Sequence, residues 1–343
     1  MKKLIFILCG SIILYSCNQS QKTTYISIGG FTQGTTYNIT YESMDSTDYK
    51  KDIEYLLAEF DTSLSTYIPT SVISKINRNE STKSDYYLNI VLKKAEEIYK
   101  ITNGAFDITV APLVNAWGFG FKNKEEMTNA RVDSIMEFVG FNKISFNDSV
   151  IIKSDPRIML DMNAIAQGYS VDVVANFLEN KGIANYLVEI GGEVKTKGFN
   201  KKGKEWKIGI DKPFDNNLMP GENLQAIVKL SNKSLATSGN YRKFYEYDGV
   251  KYSHTIDPKT GYSVNHSLLS TTVIADDCMT ADAYATAFMV LGLEKSYDLV
   301  MRLPGIEAYF VFSDENGAFQ VKSTAAMQEF IETVKQLNNS QSN

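Results

Sequence analysis

Residues 185–273 open with Asn185-Tyr186-Leu187-Val188-Glu189-Ile190-Gly191-Gly192-Glu193 and run on through Trp206 to Ile210 and Leu224 to Leu230; this stretch decides the fold class. Short apolar runs closed by turn-forming residues read as strands, and the span up to Val273 reads mostly as β, with solvated loops at Asn200 to Lys204 and Asp215 to Gly221. Helical spacing brackets it on both sides. Upstream, Tyr37, Ile39 and Tyr41 alternate with polar neighbours as a half-buried strand does, and Ile53, Leu56, Leu57 and Phe60 recur at helical spacing after the start signal Ser46-Thr47-Asp48. A second helix is predicted from about Ser84 to Thr102, stopped by Asn103-Gly104, and a third from about Gln167 to Lys181, ending at Gly182. Downstream come a helix at Thr280 to Leu291, a strand at Ala308 to Phe312 and a final helix from about Thr324 to Leu337. Long β-rich and α-rich stretches without regular βαβ alternation predict an α+β fold rather than a doubly wound sheet. No linker divides the chain, so residues 25–338 are expected to form a single domain, with 339–343 as a tail.

Composition agrees with a folded body: 43% hydrophobic and 22% charged residues, with only 7 Pro, suit neither a disordered nor a collagen-like chain. A formal net charge of -5 leaves no cationic excess for neutralising phosphates, so broad nucleic-acid binding is excluded. The N-terminus sets the expected compartment. Lys2 and Lys3 precede an apolar run from Leu4 to Tyr15, and Leu14-Tyr15-Ser16-Cys17 closes it, a pattern that resembles a bacterial lipobox with Cys17 as the lipidated residue. An ordinary secretory signal cleaved nearby exports the protein equally well. Residues 1–17 are therefore expected to be a signal peptide and 18–24 a tether, placing an exported, lipid-anchored body at a bacterial membrane, facing the periplasm. Loss of Lys2 and Lys3 takes the formal charge from -5 to -7, and Cys278 is then alone in the mature body, with no intramolecular disulfide partner.

Candidate chemistry concentrates in three places. In Thr280-Ala281-Asp282-Ala283-Tyr284-Ala285-Thr286-Ala287, a helix capped by Thr280 carries Asp282 in its first turn and Thr286 four residues on, along the same face. A carboxylate and a hydroxyl so placed form the hard, incomplete site that Mg²⁺ takes when substrate phosphate and water finish its octahedron. The same spacing also suits an aspartate that complements the helix dipole and a small packing threonine. His254, in Tyr252-Ser253-His254-Thr255-Ile256-Asp257-Pro258-Lys259-Thr260-Gly261, stands at a strand end before a turn, where a group with an unperturbed pKa of about 6.5 can serve as a general base or simply as a structural histidine. His266 reads as surface, and Cys278 as a packing residue. The Asp161 to Gly168 stretch opens a helix, whose N-terminus suits an anion. No Rossmann glycine signature, P-loop, Gly-x-Ser-x-Gly elbow, His-Glu-x-x-His helix or Cys-x-x-Cys pair is present.

Taken in order, these segments resemble the ApbE family of FAD:protein FMN transferases. The likeness spans roughly residues 30 to 312 and rests on Gly34-Thr35-Thr36-Tyr37; Leu64-Ser65-Thr66-Tyr67 with Ser71 and Asn77; Gly104-Ala105-Phe106-Asp107-Ile108-Thr109 with Pro112-Leu113 and Trp117-Gly118-Phe119-Gly120; Leu160-Asp161 to Gly168-Tyr169 with Asp172; Gly191-Gly192; Ser238-Gly239-Asn240-Tyr241; Ser253-His254 to Gly261; and Ala281-Asp282-Ala283 with Ala285-Thr286. The resemblance implies a T-fold-related α+β fold with antiparallel sheets and packed helices. It also implies an Mg²⁺-dependent transferase that takes FAD as substrate, attaches FMN to a Thr or Ser of an exported flavoprotein subunit of a redox pump or extracytoplasmic reductase, and releases AMP. By that likeness Asp282, Thr286 and the Ala164 carbonyl hold the metal, His254 accepts the acceptor's proton, and Tyr67 stacks on a flat ring of FAD. Gln33, Ala105, Phe106, Asp107, Asp161, Gln167 and the backbone near Ile256 line the cofactor cleft.

Four positions depart from the family pattern: Gln33 for Met, Asn163 for Gly, Gln167 for Lys and Glu189 for Asn. The loss of a cation at 167 weakens the expected grip on pyrophosphate. Two other activities fit the same residues: an FAD pyrophosphatase that passes FMN to water, and a flavin-binding lipoprotein without turnover.

Overall fold

The computed structural model describes residues 23–120, 125–214, 221–240, 244–247 and 250–332. Cys17 with its signal segment, Phe121, Tyr241 and the predicted helix beyond residue 332 lie outside the described residues. The frame is an eight-stranded antiparallel sheet built from β1 (Thr24–Thr32), β2 (Thr35–Ser43), β3 (Tyr186–Ile190), β4 (Glu193–Lys197), β5 (Ser234–Gly239), β6 (Leu268–Ala275), β7 (Glu307–Ser313) and β8 (Phe319–Ser323), paired in that order. The α+β expectation is met: the strands follow one another across the sheet, while four longer helices, α1 (Lys50–Leu64), α2 (Tyr86–Ile101), α3 (Ala166–Asn180) and α4 (Cys278–Leu291), pack against it or one another.

Period-two patterning works where one face is buried. Tyr37, Ile39 and Tyr41 of β2 are all at or below 1% exposure and pack with Ile53 and Leu57 of α1 and Val171 and Val174 of α3. Strand β6 is buried on both faces: Val273 and Ala275 enter the largest helix-side core, whereas Ile274 joins Leu235, Tyr309 and Val311 on the opposite face. A second antiparallel sheet, Trp206–Asp211, Leu224–Leu230 and Ile331–Glu332, covers that opposite face through Ile210, Val228 and Leu230.

The predicted helix at Thr324 to Leu337 is corrected here. A short helix spans only Met327–Phe330, and Ile331 and Glu332 then pair with Val228 and Ile227 as a strand. Ladder hydrogen bonds to an otherwise open sheet edge outweigh local helical spacing at that point.

Helix α3 lies across β4, and a row of polar contacts joins them. Gln167 donates to Glu193 at 2.6 Å, Lys195 to Asp172 at 2.7 Å, and Lys197 to Glu179 at 2.7 Å. Glu193, Lys195 and Lys197 alternate along the strand, so they share one face. Asp172 does more than pair with Lys195: its two carboxylate oxygens also accept the N–H groups of Cys278 and Met279, at 3.0 and 2.9 Å, and thereby fix the start of α4. Burial pushes the Asp172 carboxyl upward, against the opposing pull of Lys195 and the two N–H groups. Removing one partner of a buried pair leaves a charge without compensation, a loss of about 3–5 kcal/mol. Lys195→Met is therefore expected to lower unfolding free energy by about that amount in denaturant titration, and Asp172→Asn in the same chain is expected to recover part of it. An unchanged midpoint for Lys195→Met would show the pair to be dispensable.

Candidate active site

The site begins at α4. Its cap is Asp277, whose carboxylate accepts from the Thr280 N–H at 2.8 Å and from the Thr280 hydroxyl at 2.9 Å. This corrects the expected Thr280 cap: the helix starts one turn earlier, at Cys278, and Asp282 sits in the second turn. Asp282 and Thr286 still stand one turn apart on one face. Thr286 shares a 3.2 Å hydrogen bond with Ser238 at the end of β5, which joins helix and sheet at the hydroxyl.

Asp282 reaches α3. The N–H of Gly168 donates to Asp282 Oδ2 at 3.0 Å instead of closing on the Ala164 carbonyl, so that carbonyl stays out of the helix's hydrogen-bond ladder. Only glycine fits there, because a Cβ at 168 would lie 2.4 Å from the Cys278 carbonyl oxygen and 2.7 Å from Asp282 Cβ. Of the three groups expected to hold a cation, Asp282 is thus tied to α3 through Gly168, and Thr286 to β5 through Ser238. Burial pushes the Asp282 carboxyl up to about 7, opposed by the Gly168 N–H. Glu193, a second buried carboxylate, is raised well above its ordinary range, first by burial and then by the Asp282 charge.

The departures from the family pattern acquire a local explanation. Gln167 spends its amide on Glu193 and on the Ile190 carbonyl, at 2.6 and 3.1 Å, and so secures the β3–β4 turn. Glu189 accepts from the Gly192 N–H and from Asn38, both at 2.8 Å, and braces the same turn. Gln33 occupies the β1–β2 turn with φ of 52° and accepts from Ser170 of α3 at 3.2 Å, so the hairpin tip reaches the site through a polar contact as well as by packing. Asn163 is exposed on the turn before α3, and its N–H donates to Asp161 at 2.8 Å.

Next to this cluster lies a cavity of about 180 Å³ whose walls include Tyr67, Asn77, Phe119, Asp161 and Asn163. Tyr67 is 70% exposed. Asp161 is raised by burial, with the Asn163 N–H opposing. His254 follows the strand Val250–Ser253, as expected, and its ring meets Phe119 edge-on with centroids 6.4 Å apart. Its loop is held from both sides: Val264 N–H bonds the Thr255 carbonyl at 3.0 Å, Ile256 bridges Ser263, and Trp117 Nε1 donates to the Gly261 carbonyl at 2.8 Å.

Ala105, Phe106 and Asp107 are buried rather than on the walls of this cavity. The Asp107 carboxylate accepts from the Thr109 N–H and hydroxyl and from the Phe141 N–H, which makes it a brace for the loop. The segment still adjoins the site, since Asp161 N–H bonds the Ile108 carbonyl at 2.7 Å. His266 is corrected: it is half-buried, with Nε2 2.8 Å from the Met289 carbonyl near the end of α4. Cys278 is fully buried and its thiol is pushed up by burial, in keeping with a packing role. Sequence reasoning missed Glu193 and Lys195; their only signal was charge at alternate positions of a strand opposite acidic or amide positions of a helix.

Residues 33–310 match the family model described as the ApbE family. The chain belongs to the ApbE family. An FAD:protein FMN transferase of Vibrio cholerae is 37% identical over 305 residues, covering 86% of this chain and 89% of that protein. One from Haemophilus influenzae is 37% identical over 350 residues, covering 97% and 99%. Among solved structures, a flavin transferase ApbE from Vibrio cholerae superposes with a TM-score of 0.79 at 34% identity, covering 90% of this chain and 100% of that one. The apo flavinyl transferase ApbE of Pseudomonas stutzeri gives 0.80 at 33%, covering 90% and 97%. By ApbE family membership the protein is a transferase.

The donors present fit a hard cation. They number one carboxylate, one hydroxyl and one carbonyl, and no group of three or more His, Cys, Asp or Glu side chains suited to a metal occurs among the described residues. What recommends the site is the Asp282 carboxylate: it is 5% exposed, and the Gly168 N–H is its one hydrogen-bond donor among the described residues, so ionising it is costly and a divalent ion would relieve that cost. A carboxyl whose folded pKa exceeds its unfolded value stabilises the fold below the unfolded value and loses that contribution as pH rises through the folded one. For Asp282 the window runs from 3.8 to about 7. Thermal melts of the metal-free protein are expected to fall across that window, less steeply in Asp282→Asn, and Mg²⁺ is expected to restore the wild type at pH above 7 but not the variant. Equal Mg²⁺ responses of the two proteins would remove Asp282 from the metal site.

Proposed function

We propose that this protein is an Mg²⁺-dependent FAD:protein FMN transferase, exported and lipid-anchored through Cys17, that modifies a Thr or Ser of an exported flavoprotein subunit and releases AMP. What supports the reading most is the Gly168–Asp282 hydrogen bond, which ties the helix bearing Asp282 and Thr286 to the start of the helix that follows Asp161 and Asn163 on the cavity wall. Names borne by the relatives point to the same flavin chemistry.

The residues divide the work. Tyr67, on the cavity wall, stacks against a flat part of FAD, with Asn77, Asp161 and Asn163 supplying polar walls. Ala164, Asp282 and Thr286 would hold Mg²⁺, which would supply charge neutralisation for the pyrophosphate oxygens. His254, set on a braced loop against Phe119, takes the proton from the acceptor hydroxyl. The hydroxyl oxygen forms the new bond to the FMN phosphorus, the bond from that phosphorus to the bridging oxygen breaks, and AMP departs with the bridging oxygen. Positioning and charge placement carry most of such a transfer.

Mature protein mixed with FAD, Mg²⁺ and an acceptor domain tests this when acceptor mass and AMP are followed together. One FMN gained per AMP released is expected; free FMN on an unmodified acceptor gives the pyrophosphatase instead, and intact FAD gives the binding lipoprotein. Asp282→Ala is expected to abolish metal-dependent AMP release. His254→Ala is expected to keep FAD binding while transfer falls about 10²–10⁴-fold, the usual contribution of a general base. Normal transfer by His254→Ala would assign the base elsewhere.

A further inference from the structure

We propose that the end of the sheet where the chain enters the fold is a docking surface for an anionic phospholipid bilayer, made by Phe199 and by Lys201, Lys202 and Lys204. A shallow depression there is lined by Thr23, Tyr25, Asn185, Phe199 and Lys201, so the first described residue and the basic loop share one surface. The loop is preorganised. Tyr25 hydroxyl donates to the Phe199 carbonyl at 2.9 Å, Phe199 N–H to Asn185 at 2.8 Å, and Asn200 N–H to the Lys204 carbonyl at 2.8 Å. Asn200 Oδ1 also accepts from Lys202 N–H at 2.9 Å, and Gly203 turns the chain with φ of 67°.

What this loop presents is unusual for the protein. Phe199 is 51% exposed. Lys201, Lys202 and Lys204 are exposed and have no ion-pair partner among the described residues, whereas the nearby Lys197 and Lys207 are neutralised by Glu179 and Glu332. Two acidic groups offset the three lysines on this face, Glu205 and Glu42, the latter also accepting from Asn185 at 2.6 Å, and one positive charge is left in excess. A local cationic excess beside an exposed aromatic, on a chain that is acidic as a whole, complements a negatively charged lipid surface.

Chain length fixes the occupant. The proposal rests on the reading of Cys17 as the lipidated residue: six peptide units separate it from Thr23, at most about 20 Å of extended chain. A bilayer holding that lipid lies within reach of Lys201 and Phe199. Strand β1 then leads away from this surface, and its far end delivers Gln33 to α3, roughly 27 Å along the strand. The active-site cleft would therefore be held clear of the lipid, where an exported acceptor can enter.

The test uses the lipid-free mature chain from Asn18 onward; among the described residues the hydrophobic clusters lie between Ile26 and Ile331. Flotation with vesicles of phosphatidylcholine alone is compared with vesicles that also contain phosphatidylglycerol. Binding is expected only to the second kind and is expected to weaken with added salt. At about 1 kcal/mol per lysine near an anionic surface, the combined Lys201→Glu, Lys202→Glu and Lys204→Glu variant is expected to bind at least about a hundredfold more weakly, with FAD cleavage unchanged. Phe199→Ser is expected to weaken binding by a smaller factor. Equal flotation with both vesicles, flotation with neither, or unchanged binding by the lysine variant overturns the proposal. A Cys17 peptide recovered from membranes without acyl mass overturns the anchoring reading separately, while loss of FAD cleavage in the wild type overturns the enzymatic one.

Discussion

The close crossing of α3 and α4 at Gly168 is the constraint from which the site follows. With no side chain at 168, the two helices approach until the Gly168 N–H meets the Asp282 carboxylate at 3.0 Å. That contact diverts the N–H from the Ala164 carbonyl, its helical partner, which then lies outside the helix's hydrogen-bond ladder. Any Cβ would strike the Cys278 carbonyl at 2.4 Å, on backbone that Asp172 already holds, so the strain has no flexible side chain in which to dissipate. The close packing of the two helices and the placement of the carboxylate proposed to hold a cation are therefore one feature.

Holding two helices this closely requires an independent clamp, and the row of contacts between α3 and β4 supplies it. Asp172 links three elements at once: its own helix, Lys195 on the strand and the two leading N–H groups of α4. Because the pair is buried, its interaction is little screened by salt, but each partner depends strictly on the other. Geometry around Asp282 is thereby set by residues that touch no part of the proposed reaction.

Much of the frame was legible in the sequence because each element had one buried face. Tyr37, Ile39 and Tyr41 alternate as a strand packed on helices must, and α1, α2 and α3 carry long apolar stripes closed by recognisable stops. The last segment failed for a physical reason: Ile331 and Glu332 complete a sheet whose other strands lie a hundred residues earlier, information that local spacing does not contain. The start of α4 failed because Asp277 and Thr280 are both good caps, and the structure uses them together, one accepting and one donating. Within the site, Asp282, Thr286 and His254 stood out by residue type and neighbours. Glu193 and Lys195 did not, since a strand reading Glu-Val-Lys-Thr-Lys has the appearance of a solvent face until a helix is known to cover it.

Gln167 shows how the same cover alters the electrostatics. A lysine at this position would place a positive charge next to Glu193 and near Asp282. The glutamine instead gives Glu193 a neutral donor and ties the β3–β4 turn through the Ile190 carbonyl. Among the described residues no cationic side chain bonds to either carboxylate, as Lys195 is committed to Asp172. Burial raises both carboxyls, and the Asp282 charge raises Glu193 further, so without a cation both favour protonation. In this chain the amide at 167 organises the turn, and the Mg²⁺ proposed at Asp282 would supply the neutralisation, so occupancy of that site would be a condition for ionising the carboxylate that holds it.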